Sequence, residues 1–298
     1  MKAPAMSIAR TRSAGLAIVL VATLLWSTVG LFVRMAGLDA WSIVLWRSIF
    51  AVLALGPFWL MATRNRAAAL RMALSGAGLL AIALAVAGNV GTIVALRLTS
   101  VATVMTVYAA LPFLTAGIAF FALREPMNWR FGAAAAMAAA GIAITAGGAI
   151  SAHDLSGIVV ALLMTVCWAG LLVQAKRHPS LDLTLISLLS AAGGALVALP
   201  MVPPGLPAPQ ALLACALLGI LASGLANVLT LVGGRFIRSG EAGFLLLLDV
   251  VLGPLWVWLA FGEEVAPPVL AGGALVVAAV AGYLVSSTSR RTADCPAA

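Results

Sequence analysis

Ten uninterrupted apolar runs, separated by short polar connections, constrain this chain more than any other feature. They fall at about 14–33, 40–62, 73–95, 100–122, 131–150, 156–175, 182–202, 210–233, 240–261 and 267–287. A helix crosses the hydrocarbon core of a bilayer in about 20 apolar residues. Inside that core every backbone N–H and C=O must find a partner within the protein, which leaves helices or closed barrels. Barrel strands alternate apolar and polar residues, and these runs do not. The expectation is an all-α integral membrane protein with ten transmembrane helices. Composition agrees: 63% of the 298 residues are hydrophobic and 9% are charged, too little charge to cover a soluble domain of this size. The first run follows Lys2, Arg10 and Arg12, as in a signal peptide. It continues past Phe32 without a clean small-residue cleavage site and is read as a retained helix.

Charge placement sets the expected orientation. With the N-terminus inside, 14 of the 17 Lys and Arg residues fall on cytoplasmic connections. Only Arg34 and Arg97 fall outside, and Arg47 lies within a helix. Cytoplasmic loops of membrane proteins gather Lys and Arg. The split therefore predicts both termini in the cytoplasm and a multi-pass protein of the inner (plasma) membrane. It also accounts for the net charge of +8 without nucleic acid as a partner. Residues 1–13 read as a cytoplasmic lead-in and 288–298 as a disordered cytoplasmic tail. Cys167, Cys215 and Cys295 form no spaced pattern, so neither a disulfide nor a metal site is expected. His153 and His178 sit alone in connections.

The runs repeat. "GLAIVLVATLLW" at 15–26 aligns with "GIVVALLMTVCW" at 157–168, with Gly15/Gly157, Thr23/Thr165 and Trp26/Trp168 at one spacing of 142. Leu38-Asp39 matches Leu181-Asp182 and Pro57 matches Pro200, at 143. Asn89/Asn227, Thr92/Thr230, Arg97/Arg235 and Glu125/Glu263 match at 138. The ordered set indicates duplication, with halves at 14–150 and 155–287. Five helices per half is odd, so the second half enters the membrane from the opposite face. Such inverted repeats place a substrate near the midplane, between the halves.

Several stretches carry a family resemblance: "LLWSTVGLFVR" in the first helix, "WRSIFA" in the second, "YAALPFLTAGIAFFALREP" in the fourth and "LLLLDVVLGPLWVWLAFGEE" in the ninth. With the duplication, the chain resembles the drug/metabolite transporter superfamily and, within it, the EamA-type exporters, over essentially all of 14–287. The resemblance implies transport of small metabolites without ATP, often amino-acid export. The sequence contains no GxxxxGK[ST] phosphate loop, and no cofactor is expected. "SGAGLLA" at 75–81 lies in an apolar run and reads as helix packing.

Polar groups inside hydrocarbon are costly and each needs a partner, a water or a substrate. Asn89 and Thr92 lie one turn apart on one helix face, as do Asn227 and Thr230. Each Asn is eight residues from a boundary arginine, about 12 Å inward at 1.5 Å per residue and close to the midplane. These four are candidate substrate ligands; the alternative is hydrogen-bonded glue between helices. Trp26, Ser27, Thr106, Tyr108 and Trp168 are candidates to line the same cavity. Pro112 and Pro254 permit kinks. Two charges break the repeat: Arg47 corresponds to Ser190 and Asp249 to Leu111. They offer a substrate contact and a proton-coupling carboxylate, or a buried ion pair that locks packing. The sequence alone favours the pair, because each charge has the other as an obvious partner. The resembled family often carries an arginine at the position of Arg47, which points the same way.

The expected function is a secondary transporter for small polar metabolites, amino acids foremost, working by alternating access and exporting. Uptake or exchange of another metabolite or drug is the alternative. A channel would need a continuous polar stripe or a ring of like charges. No reactive cluster suggests an enzyme. Partners are a small-molecule substrate and the bilayer; a homodimer is admitted but not required.

Overall fold

The computed structural model describes residues 5–124, 129–147, 152–233 and 239–293. Fourteen α-helices make it up: α1 (Ala5–Ser27), α2 (Val29–Ala36), α3 (Ala40–Ala62), α4 (Arg66–Ala73), α5 (Gly76–Leu98), α6 (Val101–Tyr108), α7 (Leu111–Leu123), α8 (Trp129–Gly147), α9 (Ala152–Arg177), α10 (Leu183–Ala198), α11 (Pro209–Leu217), α12 (Ala226–Gly233), α13 (Ser239–Phe261) and α14 (Pro267–Ala293). A 3-10 turn at Leu199–Met201 extends α10. A π-helical stretch at Leu218–Leu225 joins α11 to α12. No strand occurs among the described residues.

Among those residues, seven helical stretches are long and apolar enough to cross a membrane: Ser13–Ala36, Ala40–Ala62, Gly76–Leu98, Val101–Leu123, Asp154–Arg177, Leu183–Met201 and Pro209–Thr230. Three shorter apolar helices, Gly132–Gly147, Leu248–Phe261 and Pro267–Gly282, fall where the remaining crossings were expected.

Local chemistry explains where helices begin and break. Asp39 caps α3 by accepting from the Trp41 and Ser42 amides, both at 3.0 Å. Its counterpart Asp182 caps α10, accepting from Thr184 and Leu185 at 3.0 and 3.1 Å. A carboxylate there satisfies amides that have no partner within the helix. Four differences from the sequence reading stand out. The basic lead-in is already helical, since α1 begins at Ala5. The third apolar run is preceded by a separate helix, α4, capped by Asn65, while Ser75 caps α5. The fourth breaks at Ala109–Ala110, just before Pro112, whose ring nitrogen cannot donate. The segment expected to be a disordered tail is helical through Ala293; residues 294–298 lie outside the described residues.

The packing respects the duplication. The first helix of each repeat lies along the third helix of the other: α9 on α5, and α1 on α12. The fourth likewise meets the first of the other repeat, α7 on α9 and α13 on α1. The second helices, α3 and α10, pack on each other, and so do the fifth helices, α8 and α14. Small residues allow the last contact. A Cβ added at Gly141 or at Gly272 would collide with the other residue's carbonyl oxygen. Lipid tails are as apolar as side chains, so membrane helices gain from such close approach rather than from escaping water. Thr23 and its counterpart Thr165, both fully buried, each bond the carbonyl four residues back, at 2.9 and 2.6 Å.

Candidate functional site

A hydrogen-bonded polar cluster forms where α3, α5, α10 and the π-helical stretch meet. Arg47, on α3, is 7% exposed. Its Nη2 donates to both the backbone oxygen and Oδ1 of Asn89, each at 3.2 Å. Its Nη1 donates to Ser223 Oγ at 3.2 Å. The amide of Asn89 then donates to Ser190 Oγ at 3.3 Å, and Ser190 Oγ donates to the Ser187 carbonyl at 2.9 Å. Arg47 Nε is buried and has no partner. Two residues of this cluster come from each half of the chain.

Local backbone geometry builds that crossing. A Cβ on Gly219 would strike the Arg47 carbonyl oxygen, so glycine lets the π-helical stretch lie directly on α3. A π-bulge redirects carbonyls that a regular helix would use internally, and such bulges occur often at functional sites. Here Trp26 Nε1 donates to the Ala222 carbonyl at 2.9 Å, and Asn227 Nδ2 donates to the Ser223 carbonyl at 2.7 Å.

The candidate ligands divide accordingly. Asn89 stands in the cluster. Thr92 bonds the Gly88 carbonyl at 2.8 Å, lies 3.0 Å from Met164 Sδ and accepts from Trp168 Nε1 at 3.4 Å. Thr92 and Trp168 are therefore together. Asn227 and Thr230 bond carbonyls of their own helical segment instead. Ser27 donates to the Leu24 carbonyl and accepts from Trp256 Nε1, both at 2.8 Å. The two repeat-related tryptophans cross over: Trp26 reaches the third helix of the second repeat, and Trp168 that of the first.

Arg47 and Asp249 are not joined by an ion pair among the described residues. The donors of Arg47 that find partners are occupied by Asn89 and Ser223, which draw the guanidinium toward α5 and the π-helical stretch. Asp249, 8% exposed on α13, has a buried Oδ1 without a hydrogen-bond partner among the described residues. Among the described residues each of the two groups keeps a buried side-chain atom without a hydrogen-bond partner. Sequence reasoning missed Ser223, Trp256 and the part played by Ser190. Ser223 had a usable signal, since it precedes Asn227 by four residues in an apolar run and so shares its helix face.

A tie at one end of the bundle links helices of both halves. Arg34 pairs with Glu263 at 3.0 Å and donates to the Thr99 carbonyl at 3.0 Å. Glu263 also accepts from the Val101 amide at 3.3 Å, at the start of α6. Thr99 Oγ1 reaches Asp154 of α9 at 3.1 Å.

A helical fold with apolar spans and a polar cluster shared by both halves defines the class of protein: a multi-pass membrane protein. The model of the EamA-like transporter family matches residues 13–147 and again 155–285, and the chain belongs to that family. It is a membrane transporter of small molecules. A crystal structure of another protein is similar in fold, with a TM-score of 0.65 and 21% identity over 94% of this chain and 99% of that one. No curated protein matches by sequence.

Proposed function

We propose that the protein is a secondary transporter that exports a small polar metabolite, an amino acid foremost, by alternating access across the inner membrane. The observation that carries this reading is the cluster of Arg47, Asn89, Ser190 and Ser223, which lies where the two repeats meet and is supplied equally by both, with Arg47 and Ser190 buried and Asn89 and Ser223 half-buried. Inverted repeats offer two arrangements of similar energy, one open to each side, and a ligand held between them is exposed to each side in turn. Asn89, Thr92, Trp168, Trp26, Ser27 and Tyr108 would line the path, with Asn227 and Thr230 entering in the opposite arrangement. The shorter helices complete ten crossings in this reading.

The test is a panel of amino acids and other small metabolites against purified protein in liposomes, with and without a pH gradient. Saturable movement of one compound class supports the reading. Uptake that exceeds export in oriented vesicles reverses the direction. Unsaturable flux of many solutes replaces the carrier with a channel. Orientation has its own check: a cysteine introduced at position 205 should label from outside intact cells, and one at position 67 should not. Labelling of position 67 from outside would invert the topology.

A further inference from the structure

We infer that Arg47 anchors an anionic group of the transported molecule, a carboxylate or a group of like charge. The inference rests on the transport reading and names the residue that would select the substrate.

Charge comes first. The Arg47 side chain is taken out of water, yet no carboxylate lies within ion-pair distance among the described residues. Its partners are an amide oxygen, a backbone oxygen and a hydroxyl, at 3.2 Å each. Neutral dipoles orient a guanidinium without neutralising it. A buried cation is costly unless an opposite charge arrives, and a guanidinium presents a planar fork of donors suited to a carboxylate or phosphate. Arg47 Nε, buried and unpartnered, is a donor still to be used.

The second repeat serves as an internal control. At the position matching Arg47 it carries Ser190, and α10 still packs on α3 and α5. The second helix of each repeat thus meets the third helix of the other, once through Arg47 and Ser223 and once through Ser190 and Asn89. Were the guanidinium needed to hold second and third helices together, the second repeat would need one as well. Asn89 is shared: Oδ1 faces Arg47 while Nδ2 faces Ser190. That fixes the amide so that its acceptor side holds the arginine in place. Asn89 is thus a positioning residue for the anchor.

The experiment uses the full-length protein in detergent and in liposomes. Amino acids are each paired with their carboxamides, and succinate with succinamide. Binding is read from the ligand-induced rise in unfolding temperature, and transport from KM. Wild type should bind at least one acid about tenfold to a hundredfold more tightly than its amide, the range for a hydrogen bond to a charged group. Arg47→Met, which keeps the volume, and Arg47→Ser, the residue of the second repeat, should fold and lose that preference, with KM for the acid raised to that for the amide. Equal binding of acid and amide by wild type would sink the anchor and leave the transport reading standing. Binding of none of the acids or amides would remove the substrate class, and the anchor with it. Failure of both variants to fold would make Arg47 part of the architecture and overturn the inference. So would an acid-over-amide preference that survives both substitutions.

Discussion

The two repeats carry different residues at matching positions of their second and third helices. In the first, α3 and α5 meet through Arg47 and Asn89. In the second, the matching positions are Ser190 and Asn227, and Asn227 turns back to the Ser223 carbonyl of its own segment. What the repeats share is architectural: the Asp39 and Asp182 caps, the back-bonded Thr23 and Thr165, and the tryptophans that reach across the interface. What they do not share, Arg47 against Ser190 and Asp249 against Leu111, is charge at the centre of the bundle. Duplication thus separates the residues the fold requires from those added to it, since a requirement of the fold should recur in both copies.

The strongest way to break this comparison is at Asp249. Its carboxylate has no counterpart in the first repeat, and its Oδ1 has no partner. If it carries the coupling proton, Asp249→Asn should abolish uphill transport driven by a pH gradient in liposomes while sparing downhill exchange. Uphill movement that persists in the variant would make the carboxylate a packing element instead.

A smaller but sharper contrast separates the two asparagines. Asn89→Ala removes a side-chain acceptor of Arg47 and the donor to Ser190, so transport should fall about tenfold or more, the scale of one or two hydrogen bonds in a buried network. Asn227→Ala removes only a bond within its own segment and should change transport by no more than about threefold, the weight of an ordinary neutral hydrogen bond. Equal losses would show that the repeats contribute symmetrically to the site.

The caps test the architectural side. Asp39 bonds only the start of its own helix among the hydrogen bonds of its carboxylate. Asp182 also accepts from Trp59 Nε1 at 3.0 Å and Thr63 Oγ1 at 3.1 Å, at the far end of α3. Asp39→Ala should cost about 1 kcal/mol of stability, as for a typical cap. Asp182→Ala should cost about 2–4 kcal/mol, because two further bonds to a charged group are lost. Thermal unfolding in detergent separates the two. Partial burial pushes the Asp39 carboxyl up, but hydrogen bonds from Ser42 and Trp41 outweigh it and hold the group below the usual aspartate value. A depressed value means that its stabilising effect is present above the ordinary aspartate range and fades as pH falls through the lowered value. Asp39→Asn, which is neutral at every pH, should flatten that part of the acid profile.

Much of the architecture was readable because bilayer physics works on sequence directly. Length, continuous apolarity and basic connections report on each segment without its neighbours, and the duplication appears as register in one dimension. The short helix α4 was not legible, because Asn65 and Ser75 act as caps only once the backbone turns there. The π-helical stretch left no mark either. "LGILASGL" reads as any apolar helix, and the close approach of Gly219 to Arg47 and Phe50 of α3 appears only in the packed bundle.

The site divides along the same line. Sequence alone identified Arg47, Asp249, Asn89 and Thr92 as groups that hydrocarbon could not leave unattended. It could not say which would meet, because partner choice depends on helix rotation and on contacts 42 to 176 residues apart along the chain. The obvious electrostatic match, Arg47 with Asp249, was a pairing of types; the tertiary structure sends the guanidinium to Asn89 and Ser223 instead. Composition and periodicity determined that the chain lives in a membrane as two copies of one unit, since each residue's transfer cost is a local property. Only the packed bundle decided which groups the buried guanidinium meets, because that is a property of distances between helices.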